Sequence, residues 1–180
     1  MRLAALFTIL ALAATPLAAQ TAVTVGADTL VRRHEALGPR GGLIEFVPAG
    51  ETLATWTRLA GYRLVLDGPA SPRAAAAAIA AAAERRYPGT RTALFARGDE
   101  VLVEFVLGAP GAAFVEYNAF KYAPGPHGRG VVSFLYARRV GPEATQALRT
   151  DRAAWLETAA RYDMDRVRSA FPVATGTAAR

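Results

Sequence analysis

RTALFARGDEVLVEFVL, Arg91 to Leu107, reads as two short runs of strand-forming residues hinged on a turn. Arg91 to Ala96 and Val101 to Leu107 are the runs, and Arg97-Gly98-Asp99-Glu100 joins them as a hairpin. Downstream the pattern continues. Gly108 to Gly111 forms a second turn, and Phe114 to Tyr122 and Val131 to Val140 form two further strands. APGPHGRG, Ala123 to Gly130, links those two strands. Three turns in succession predict an antiparallel meander of about four strands.

Upstream lies a segment of a different kind. Ser71-Pro72 reads as a helix N-cap and first helical residue. Ala74 to Ala83 is almost all alanine around one Ile79, the strongest helix-forming composition. Arg85 and Arg86 suit the negative end of the helix, and Pro88-Gly89 stops it. Such a helix buries little side-chain area but can lie close against a sheet. Low-complexity disorder is the alternative, and the clean caps speak against it.

Further upstream, Leu43 to Val47 alternates as a strand and Pro48-Ala49-Gly50 turns. Glu51 to Thr55 reads as one helical turn. Trp56 to Leu66 reads as a strand bulged at Gly61, with a helix through Ala60 as the competing reading. Residues 20 to 41 are weakly periodic and predict a lead-in segment with a short strand near Leu30 to His34. After Gly141-Pro142, Glu143 to Tyr162 reads as a long helix with Leu148, Trp155 and Tyr162 on one face. Asp163 to Phe171 reads as a shorter helical piece. The expected fold is therefore α+β. A meander of about four strands, with an N-terminal strand pair, lies beneath an Ala-rich helix and a C-terminal helix. The domain is expected to span residues 20–172, with 173–180 as a tail.

The 180 residues suit one domain. Met1-Arg2, the apolar run Leu3 to Ala14, the break at Thr15-Pro16 and the small residues before Gln20 have the order of a secretory signal peptide, residues 1–19. The apolar run falls short of the roughly 20 residues a spanning helix needs. No arginine pair precedes the run, and no cysteine follows it for lipid attachment. A periplasmic or secreted protein is expected, with no transmembrane span after cleavage. The absence of cysteine removes thiol, disulfide and zinc–cysteine chemistry. The net charge of +6 comes almost wholly from arginine, with Lys121 the single lysine. Spread along an exported chain, that charge suits solubility rather than nucleic-acid binding. An anionic envelope surface is the alternative partner.

Glu45-Phe46-Val47-Pro48-Ala49-Gly50-Glu51, followed by Trp56-Thr57, resembles a segment of uncharacterised exported bacterial proteins. The order of elements from Leu43 to about Tyr162 more loosely resembles the small exported sandwich domains of the PsbP and DcrB kind. The resemblance implies a non-enzymatic accessory or binding role and carries over no active-site residue. A cystatin-like fold would give a similar string of elements.

The chemistry-bearing residues form no catalytic pattern. Ser71, Ser133 and Ser169 stand outside any nucleophile elbow. His34 and His127 have no metal-ligand spacing. Glu104 and Glu116 sit on neighbouring strands. If Leu107 pairs with Phe114, they point to opposite faces and read as ordinary solvent-face residues. The Ala123–Gly130 loop, longer and more charged than a tight turn requires, reads as a mobile tip and the favoured contact loop. His127 and Arg129 would act there, with Arg138 and Arg139 as further anion contacts. Pro48 and Gly50 set the turn, and Trp56 and Trp155 anchor the core. The expectation is a non-catalytic binding or accessory domain without cofactor or metal, docking a partner between the helix and the Trp56 edge of the sheet. The alternatives are a hydrolase using His127 with a carboxylate, and a binder of anionic lipid or polysaccharide.

Overall fold

The computed structural model describes residues 20–108, 111–141 and 145–171. The expected signal peptide and C-terminal tail lie outside the described residues. Eight strands form one antiparallel sheet: β1 (Ala22–Val25), β2 (Asp28–Gly38), β3 (Gly41–Pro48), β4 (Arg58–Val65), β5 (Thr92–Arg97), β6 (Glu100–Leu107), β7 (Val115–Pro124) and β8 (Val131–Val140). Their spatial order is β1-β2-β3-β4-β8-β7-β6-β5. Two four-strand meanders thus meet at the β4–β8 seam.

Helix α1 (Pro72–Arg86) crosses from the first meander to the second. It packs on one face through Ala75, Ala76, Ala80 and Ala83, against Val101, Val103, Phe105, Tyr122 and Val131. Helices α2 (Thr145–Ala160) and α3 (Met164–Ser169) cover the other face. There Phe46, Tyr62, Tyr117, Phe134, Trp155 and Tyr162 form the main core. The result is an α+β domain with a helical layer on each side of the sheet.

The helix starts follow local chemistry. Ser71 Oγ accepts from the Ala74 amide at 3.2 Å, and Pro72 opens α1. Asp163 Oδ1 accepts from the Asp165 amide at 2.9 Å and caps α3. The β5–β6 hairpin turns on Gly98 and Asp99, with Gly98 at φ 62°.

The structure departs from the expected fold at four places. The first half contributes four strands rather than a pair. β1 escaped the periodicity reading and β2 was expected only as a short strand near Leu30 to His34, because β2 buries little besides Leu30 and shifts register between Arg32 and His34. Gly61 carries no bulge: β4 pairs with β3 and β8 in continuous register across it. Glu51 to Thr55 is a non-helical turn, because the Thr52 and Thr55 hydroxyls bond to the local backbone and to each other. Finally, Leu107 pairs with Glu116, two residues further along than expected. A two-residue slip preserves the faces, so Glu104 and Glu116 still point to opposite sides.

Candidate functional site

Helix α1 covers only the second meander on its side of the sheet, so β3 and β4 are left open there. Between the helix and those strands lies a groove of about 510 Å³. Ala75, Ala78, Ile79 and Ala82 form its helical wall. Its floor follows from strand alternation. Glu45, Gly61, Leu135 and Phe120 lie opposite one another along one row, and Leu43, Arg63, Ser133 and Tyr122 along the next. The volume lies in the range of roughly 300–1,000 Å³ typical of small-ligand sites.

Three sequence choices open this space. Alanines on α1 project little into it. Gly61 places no side chain at the centre of the floor, and a Cβ there would meet Leu135 at an ordinary 3.5 Å, so the glycine is not demanded by crowding. Pro69, on the segment leading to α1, lines one end.

The groove has a polar end. Glu45 lies directly across from Gly61, and Arg63 is two residues beyond Gly61, so the two residues are diagonal neighbours on one face, with backbones roughly 7–8 Å apart. Neither side chain makes a hydrogen bond or ion pair among the described residues. Burial pushes the Tyr122 phenol well above its ordinary range, while the charge of Arg63 pulls it down.

The residues singled out from sequence do not converge. Exposed His127 occupies the left-handed region at φ 53°, ψ 30° in a 3-10 turn, Pro126–Gly128. Among the described residues its imidazole makes no hydrogen bond or ion pair. The surrounding loop is a folded turn rather than a loose tip. Gly125 N donates to Gly130 O at 3.0 Å, Pro126 is buried, and Arg168 Nε donates to Pro124 O at 2.9 Å. Gly130, at φ 68°, lies so close to β4 that a Cβ would stand 2.2 Å from Val65 O. Arg129 is exposed.

Arg138 and Arg139 stand near the opposite end of β8 and face opposite sides. Arg138 lies 4.6 Å over the Trp155 ring and donates to Tyr136 Oη at 3.1 Å. Arg139 lies 3.9 Å over Trp56 and 4.5 Å over Phe114. It also pairs with Glu116 at 3.5 Å and donates to Ala54 O at 3.2 Å. Arg138 and Arg139, the further anion contacts expected from sequence, thus each lie over aromatic rings.

The other marked residues serve the frame. Trp56 is buried with Val47, Leu59 and Ala137. Trp155 is buried against Tyr117 at 5.4 Å. Pro48 is buried at the end of β3, and Gly50 takes φ 87°, which the following turn requires. Glu51 Oε2 and Oε1 accept from the Thr57 amide and hydroxyl at 2.6 and 2.8 Å, closing that turn.

Glu104 is no solvent-face residue. It is 4% exposed and takes a two-pronged contact from Arg152 of α2, at 3.1 and 2.8 Å. Lys121 is likewise buried, bonding to the carbonyls of Ala160 and Tyr162 at 2.9 Å each and pairing with Glu100. It holds the end of α2 against the sheet. Among the described residues, no group of three or more His, Asp or Glu is placed to hold a metal ion. No described helix is long and apolar enough to cross a membrane.

Sequence reading named the helix–sheet groove as a docking place but missed Gly61, Arg63 and Leu135 as its lining. Their signal was the odd-numbered face of β4, which the even-numbered aromatic face overshadowed.

Sheet, helices and groove together define a three-layer α+β domain with a ligand-sized cleft beside its first helix. A protein-family model matches residues 40–167, more than half of the chain, and the chain belongs to that family of small, uncharacterised bacterial domains. The match begins just before β3, and every lining residue of the groove falls within it. No curated protein and no solved structure matches the chain.

Proposed function

We propose that this chain is an exported, non-catalytic binding domain of the cell envelope, and that the α1–β4 groove is its binding site. The ligand is a slender apolar body with a zwitterionic end. Its anionic group meets Arg63, its cationic group meets Glu45, and its apolar part lies along Ile79, Leu135, Phe120 and Val131. The observation that carries this reading is the pair of opposite charges, unpartnered and a diagonal apart, at the rim of an apolar cleft. Two unpaired charges this close to apolar surface gain from a ligand that satisfies both. The signal-like residues 1–19 and the resemblance to exported accessory domains support the envelope location.

Calorimetric titration with dodecylphosphocholine, dodecanoate and dodecyltrimethylammonium, each below its micellar threshold, tests the reading. The three share a tail and differ in head group. Dodecylphosphocholine should bind most tightly. Ala78→Leu, which narrows the cleft from an exposed helix position, should weaken it at least about tenfold, or 1.4 kcal/mol. Equal binding by the wild type and Ala78→Leu would move the site elsewhere.

A further inference from the structure

The two edges of the sheet are finished differently. β1 is four residues long and offers little backbone to a neighbour. β5 is six residues long, pairs among the described residues with β6 alone, and contains no proline, lysine or register shift, its single charge being the terminal Arg97. Such devices are how sheets normally blunt a free edge. From Leu94 to Arg97 every residue of β5 is exposed. Leu94 and Phe95, which alternate onto opposite faces, are 43% and 48% exposed.

We propose that a second copy of this chain pairs antiparallel with β5 across a twofold axis, with Phe95 opposite Phe95 of the second copy. The sheets of the two molecules then run on as one. The register follows from strand geometry and charge. Directly opposed residues share a face, so a twofold axis perpendicular to the sheet must pass beside a single residue paired with its own copy. Only Leu94 and Phe95 are central enough to keep most of the strand paired. Centring on Leu94 sets Arg91 against Arg97 of the second copy, twice over, and like charges directly opposite are destabilising. Centring on Phe95 sets Arg97 against Ala93 of the second copy, also twice, so that no like charges are opposed. It also brings the two Phe95 rings together. Beside each ring lies a hollow of about 690 Å³, bordered by Leu102, Lys121, Ala160 and Arg161, which the opposing copy would wall off. This edge is the far side of the sheet from β3, so the inference stands apart from the groove.

The cysteine-free chain makes the test clean. Single-cysteine variants Phe95→Cys and Leu94→Cys are oxidised and run without reductant, and the wild type and Phe95→Lys are sedimented over a concentration series. The wild type should reach twice the monomer mass. Phe95→Cys should cross-link at least tenfold faster than Leu94→Cys, since only the self-opposed residue meets its own copy. Phe95→Lys should remain monomeric with an unchanged circular dichroism spectrum. A wild type that stays monomeric at the highest soluble concentration overturns the proposal, as does a Phe95→Lys dimer of unaltered strength. Cross-linking of Leu94→Cys as fast as Phe95→Cys overturns the register.

Discussion

Single residues in this protein are held by neighbours that the sequence keeps far away. Trp56 is 7% exposed and lies under the guanidinium of Arg139, which Glu116 in turn pairs. Truncating it removes a large apolar area and leaves a cavity. Trp56→Ala should therefore cost about 3–5 kcal/mol in urea denaturation, and an unchanged midpoint would place the ring in solvent. Glu104 makes a second case. Its carboxylate is buried, and Arg152 supplies its charge partner from a helix 48 positions away. Arg152→Ala should destabilise by about 2 kcal/mol, less than for a fully buried pair because Arg152 is itself 45% exposed. Chemical melts of that variant against Arg149→Ala, an exposed control on the same helix, would check it. Local reading placed the Pro48–Gly50 turn and the Ser71 cap, because those depend on adjacent residues. It misjudged Glu104, because only the docking of α2 decides that this face of β6 is covered.

At the scale of elements, α1 shows what alanine accomplishes. Ala76 is fully buried and Ala80 nearly so, which lets the helix lie close upon β6 and β7. Ala76→Leu should push the helix off the sheet at a cost of about 1–3 kcal/mol. Ala78→Leu, exposed on the groove side, should leave stability within about 0.5 kcal/mol. Thermal melts of the two variants separate the faces, and equal losses would contradict the placement of α1. This helix was legible because its caps and composition agree. β1 was not, and β2 was legible only near Leu30 to His34, since a strand with one buried residue and a shifted register carries no clear period. The same weakness hid the doubling of the meander.

For the whole molecule, both faces of the sheet bury tyrosines, Tyr62, Tyr117, Tyr136 and Tyr162 on the second face and Tyr122 beneath α1. Burial raises the phenols of Tyr62, Tyr117, Tyr122 and Tyr162 above their ordinary range. It pushes Tyr136 up to about 12, although Arg138 pulls it down. A folded value above the unfolded value of about 10 means that the folded state keeps its proton longer. The stability it contributes is complete below pH 10 and is lost as pH rises through 12. Phenolate absorbance should therefore rise together with loss of the circular dichroism signal above pH 10. Ionisation of these tyrosines well before unfolding would contradict their burial. The groove belongs to this scale too. Its lining comes from β3, β4, β7, β8 and α1, and no local window of sequence holds more than part of it. Sequence reading could propose that a helix beside this sheet leaves a cleft, but not which face of β4 floors it.

Binding at the α1–β4 cleft can be read directly. Amide chemical shifts, followed by NMR while dodecylphosphocholine is added below its micellar threshold, locate binding residue by residue. If the ligand sits in the cleft, saturable shifts appear at Gly61, Arg63, Ala78, Ile79 and Leu135, with His127 and Arg129 unmoved. Shifts confined to the Ala123–Gly130 turn, or none at all, would contradict it.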